Sequence, residues 1–98
     1  METQFYIILS LKTPDGFVDY GQYFLGNDRG TAFELFGQLI GSADIKQNCL
    51  LHIDLMETVD GLPVLVKTRC CTIDELGANC KRIARHVFRL KNLEDIEI

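Results

Sequence analysis

Apolar and polar positions along this chain alternate between two periods, and the switch happens twice. Phe5-Tyr6-Ile7-Ile8-Leu9 is apolar at every position before Ser10, as expected of a strand buried in mid-sheet. Phe17 to Leu25 alternates less cleanly and carries Asp19, Gly21 and Gln22, the pattern of an edge strand. Period two returns from Ile53, and Pro63, which cannot donate to a ladder, puts the fourth strand at an edge and the third in the centre. Between and after these hairpins the spacing becomes helical. Ala32, Leu35, Phe36, Leu39 and Ile40 form one stripe; Ile73, Leu76, Cys80, Ile83, Val87 and Leu90 form a longer one.

The punctuation agrees with the periods. Thr13-Pro14-Asp15-Gly16 and Thr58-Val59-Asp60-Gly61 are tight-turn sequences, because Gly tolerates the positive φ that such turns demand. In the first turn two registers fit: Pro14 and Asp15 at the turn centre with Gly16 at positive φ, or a two-residue Asp15-Gly16 turn. In the second, an Asp60-Gly61 turn pairs Val59 with Leu62, Leu55 with Val66 and Ile53 with Thr68. Thr31 and Thr72 each precede a Glu by three residues, the capping-box spacing, with an earlier helix start at Asn27 or Asp28 as the alternative for the first. Gly41 reads as the C-terminal cap of the first helix.

These elements predict an α+β, two-layer sandwich of the form ββα-ββα, with an antiparallel four-stranded sheet in order 2-1-3-4 and both helices on one face. Ninety-eight residues make one domain, 1–98. Residues 93–98 alternate with period two and read as a tail or an added strand. The short matching motifs of the two halves form an internal pseudo-repeat.

Composition narrows the class without supplying a reaction. With 47% hydrophobic and 24% charged residues the chain is an ordinary globular one. The start at Met1-Glu2-Thr3-Gln4 lacks the basic beginning of a secretory signal, and no apolar run is long enough to cross a bilayer, so the expected location is cytoplasmic, with no membrane partner. By that logic Cys49, Cys70, Cys71 and Cys80 are expected as reduced thiols. None has the paired spacing of a zinc site, and no metal or cofactor is called for.

The net charge of −4 argues against a general nucleic-acid binder. It is uneven, however: residues 1–80 carry −6 and residues 81–98 carry +2, the excess lying on the second helix. Arg82, Arg85, His86 and Arg89, with Lys81 and Lys91 beside them, form its basic face.

The outer face of the sheet is the other candidate surface. Tyr6, Ile8, Ser10, His52, Asp54, Leu65, Lys67 and Arg69 are assigned there by alternation, as an interface or as a cradle for an anion between Lys67, Arg69 and His52. His52 and Asp54, two apart on a strand, share a face and form the minimum of a general-base pair. No nucleophile, second carboxylate or oxyanion device accompanies them, so no catalytic set is assigned. Residues 26–31, between a strand and a helix, lack the Gly-Lys-Ser/Thr ending of a phosphate loop and read as a turn and cap. The expected function is thus a noncatalytic protein-interaction domain that self-associates as a homodimer. The alternative is a nucleic-acid or anionic-ligand module using the basic helix face.

Overall fold

The computed structural model describes residues 3–42 and 49–90. Its elements are β1 (Phe5–Thr13), β2 (Gly16–Gly26), α1 (Arg29–Gln38), β3 (Leu51–Val59), β4 (Leu62–Cys71) and α2 (Ile73–Leu90). The sheet is antiparallel throughout, in the order β2-β1-β3-β4. Both helices lie on one face, as the apolar stripes required. The tail at 93–98 lies outside the described residues.

Each hairpin follows from its turn. Thr13 pairs with Gly16, so Pro14 and Asp15 occupy the turn and Gly16 takes φ 112°. The Thr13 hydroxyl locks it, donating to the Gly16 carbonyl at 2.7 Å and accepting from the Asp15 N–H. In the second turn Asp60 and Gly61 have φ of 53° and 80°, the double positive φ that matches the twist of the flanking strands, and Val59 pairs with Leu62.

The helix starts differ from each other. At α2 the capping box is present: the Glu75 N–H donates to the Thr72 hydroxyl and the Thr72 N–H to the Glu75 carboxylate. The first helix takes the earlier start. Asp28 is its N-cap, accepting from the Gly30 N–H and the Thr31 hydroxyl, so Thr31 supports the cap from inside the helix. Those two bonds hold the Asp28 carboxyl below the usual range, the Thr31 hydroxyl contributing most.

The core is the space between layers. Phe5, Ile7 and Leu9 of β1 and Leu51, Ile53 and Leu55 of β3 meet Ala32, Leu35, Phe36 and Leu39 from the first helical segment and Ile83 from α2. The helices divide the sheet between them. Phe33 of α1 stacks edge-on against Phe5 and Phe36 lies by Arg69 of β4, whereas Tyr20 and Tyr23 of β2 lie by Cys80 of α2. Arg29 adds a tie, pairing with Glu57 at 2.5 Å while its guanidinium lies over the rings of Phe5 and Phe33. In α2, Ile73 falls outside the expected stripe at 73% exposed.

A buried Asn joins the two helices. Asn79 is 1% exposed; its Oδ1 accepts from the Ile40 N–H at 2.8 Å and its Nδ2 donates to the Ile40 carbonyl at 2.7 Å. This satisfies backbone groups just past the end of α1, which closes at Leu39 rather than at Gly41. Gly41 serves a different need. At φ 148° it passes β4 so closely that a Cβ would stand 2.8 Å from the Cys70 carbonyl oxygen. Ser42 then exchanges two backbone hydrogen bonds with Cys70, and Cys70 is bonded to Cys49 in a disulfide with Cα atoms 5.9 Å apart.

That bridge corrects the expectation of four reduced thiols. Sequence spacing cannot show it, since the pair is 21 positions apart and comes within bonding reach only where the start of β3 meets the end of β4. Cys71 and Cys80 are free. Burial, with the Glu75 carboxylate nearby, pushes the Cys71 thiol up from its ordinary range.

Candidate functional site

Strand register decides which side chains share the uncovered face, and one irregularity rewrites the expected set. From Val59↔Leu62 to Met56↔Leu65 the pairing follows the turn; there β4 inserts Val66, and Leu55 faces Lys67 while Ile53 faces Arg69. The bulge reverses the parity of everything after it. Lys67 and Arg69, expected on the outer face, therefore lie beneath α1: the Lys67 ammonium is 5.4 Å from the Phe33 ring centre and the Arg69 guanidinium 5.1 Å from that of Phe36. An anion cradle joining them to His52 is excluded, because His52 points to the opposite side.

Tyr6, Ile8, Ser10, His52, Asp54 and Leu65 do share the outer face. Aligned across β2, β1, β3 and β4, it consists of rows. Phe24, Tyr6, Met56 and Leu65 make an apolar row; Gln22, Ile8, Asp54 and Thr68 a mixed one; Asp19, Ser10, His52 and Cys70 a polar one. The rows partly cover themselves. Phe24 tilts against Tyr6 with ring centres 6.0 Å apart, and Phe17 against His52 at 4.5 Å, so Tyr6 is only 9% exposed although no helix lies above it. Phe24, Phe17 and Leu65 remain half exposed or more.

His52 and Asp54 are neighbours without being a pair. Asp54 accepts from the Thr68 hydroxyl across the strand, Ser10 donates to Asp19 at 2.8 Å, and the His52 Nε2 is buried with no hydrogen-bond partner. An imidazole without an orienting carboxylate, stacked on Phe17, has the environment of a packing residue rather than a base.

The second surface is concave. Between α1 and α2 lies a cleft of about 430 Å³ lined by Leu35 and Gln38 on one wall and by Lys81, Arg82, Arg85, His86 and Arg89, with Ala78, on the other. Positions 82, 85, 86 and 89 follow helical i, i+3, i+4, i+7 spacing, which gathers them on one side of α2. That stripe was legible in the sequence. The opposing wall was not, since only packing brings Leu35 and Gln38 opposite it. Burial, helped by the Arg89 charge and opposed by Glu34 of α1, holds the His86 imidazole below its ordinary value, and its Nε2 is buried without a partner.

No protein-family model, curated protein or solved structure matches this chain. No helix among the described residues is long and apolar enough to cross a membrane, and no three or more of their His, Cys, Asp and Glu side chains are grouped to hold a metal ion.

Proposed function

We propose that this protein is a noncatalytic interaction domain that pairs with a second copy of itself through the outer face of its sheet. The observation that carries this is the apolar row Phe24, Tyr6, Met56 and Leu65, which crosses all four strands and ends at both edges in side chains more than half exposed. The edges are poorer candidates. Register shifts in β1–β2 pairing at Phe5/Tyr6 and Leu9/Ser10 disrupt the β2 edge, while β4 carries Pro63, its own bulge and the bridge to Ser42.

Strand and row spacings give the face a size. Four strands ~4.8 Å apart and three rows ~7 Å apart span roughly 400 Å² per protomer, or about 800 Å² hidden in a pair. That lies below the ~1,200 Å² at which stable interfaces begin, so the expected dimer is weak and concentration-dependent. Sedimentation velocity from about 10 μM to about 500 μM tests it: the weight-average mass rises toward the dimer, and Phe24→Glu with Leu65→Glu holds it at the monomer. A monomer at every concentration overturns the proposal.

The expected cytoplasmic location belongs to the same proposal, and the disulfide weighs against it, because cytosolic thiols are kept reduced. Alkylation at lysis followed by a thiol count decides between them. Two titratable thiols support an oxidising compartment; four support the cytoplasm.

A further inference from the structure

We infer that the cleft between α1 and α2 binds a small polyphosphate group, held by Arg82 and Arg85 with Lys81 beside them and His86 in the same wall. Three features of the cleft converge on that ligand.

The first is charge. Lys81, Arg82, Arg85 and Arg89 face one cavity, and like charges three and four residues apart on a helix oppose its formation. The α1 segment facing them has Glu34 as its one acidic residue within Arg29–Gln38, and Glu34 lies near His86. An anion in the cleft turns the repulsions among Lys81, Arg82 and Arg85 into charge-assisted hydrogen bonds, and guanidinium groups match phosphate oxygens two at a time.

The second is an orphan polar atom at the same place. His86 Nε2 is buried, has no hydrogen-bond partner and belongs to the cleft wall. Buried nitrogens are ordinarily satisfied, and this one becomes so when the imidazole turns toward a phosphate seated between Arg82 and Arg85. Gln38 adds an amide donor from the other side.

The third is size. A volume of about 430 Å³ lies in the range of small-ligand sites. The cationic stripe from residue 81 to residue 89 is about 12 Å long at 1.5 Å per residue, a length that a short phosphate chain fills and a nucleic acid overruns. Beyond the cleft the chain's net charge of −4 repels a long polyanion. The cleft lies on the helical layer, on the far side of the sheet from the apolar row, so pairing through that row leaves it open.

Isothermal titration calorimetry with tripolyphosphate and with ATP tests the site at low and at moderate salt. Both anions bind, more weakly as salt rises; Arg82→Gln with Arg85→Gln weakens binding by about tenfold or more, and Lys67→Ala on the sheet leaves it unchanged. Equal affinity for the two anions assigns the phosphate chain as the recognised group, and tighter binding of ATP assigns a nucleotide as its source. Circular dichroism confirms that each variant is folded. Absence of binding at low salt overturns the inference, as does undiminished binding by the double variant. So does preferential binding of a single-stranded oligonucleotide with affinity that grows with its length.

Discussion

Replacing Asn79 by Ala removes, from a site that is 1% exposed, the hydrogen bonds with the Ile40 N–H and carbonyl at 2.8 and 2.7 Å and a weaker one from its Nδ2 to the Cys71 Sγ at 3.5 Å. Each such bond contributes about 1 kcal/mol net, and a backbone group left dry costs about 1–3 kcal/mol. Ile40 itself is 47% exposed, so water reaches part of the orphaned backbone and the larger figure does not apply twice. The expected loss is therefore about 2–3 kcal/mol, which lowers Tm by roughly 10–20 °C in a domain of this size. Urea unfolding followed by circular dichroism measures it directly. Two companions separate hydrogen bonding from volume. Asn79→Leu fills the space without bonding and loses about as much as Ala; Asn79→Asp keeps the acceptor, forfeits the donor and buries a carboxylate, so its deficit shrinks as pH falls. An Asn79→Ala variant within about 0.5 kcal/mol of the parent, with an unchanged urea slope, refutes the clamp.

Gly41→Ala meets the Cys70 carbonyl oxygen 2.8 Å from its new Cβ at φ 148°, so a stability loss of about 2–3 kcal/mol is expected in the same urea assay. Reducing the Cys49–Cys70 bridge, which spans 21 residues, releases a loop whose closure constrains the unfolded chain by about 3 kcal/mol; a thermal scan with and without reductant reads the difference. The half-buried His86, held below its ordinary value by desolvation and then by Arg89, with Glu34 opposing, takes up its proton at lower pH in the folded than in the unfolded chain. Stability therefore falls as pH drops below the unfolded value of 6.5 toward the lower folded one, and His86→Gln, compared in chloride buffer at pH on either side of 6.5, loses that part of the slope.

Much of the candidate surface was legible before any coordinates. The spacing of Arg82, Arg85, His86 and Arg89 set them on one side of a helix, and the alternation of Tyr6 with Ile8 and of His52 with Asp54 set these four on one side of the sheet. Lys67 and Arg69 were not legible, although they stand in the same hairpin. Their side depends on whether β4 carries an extra residue at Val66, and nothing in the sequence around Val66 announces a bulge. The role of Asn79 was not legible either, because a polar residue at a helical core position looks like an interruption until its partner, Ile40, is known.

The chain alone determined what is decided within a few residues: the places of the two tight turns, the Thr72–Glu75 cap, the central and edge strands and a single helix-bearing face. Those features rest on local φ preferences, reciprocal capping and the match between side-chain period and backbone geometry, all of which act over one or two turns of chain. Only the tertiary structure decided the parity of β4, the Cys49–Cys70 bridge, the clamp of Asn79 on Ile40 and the second wall of the cationic cleft. Each of these joins residues distant in sequence. Their contact depends on how strands and helices settle against one another, and no local preference encodes that distance.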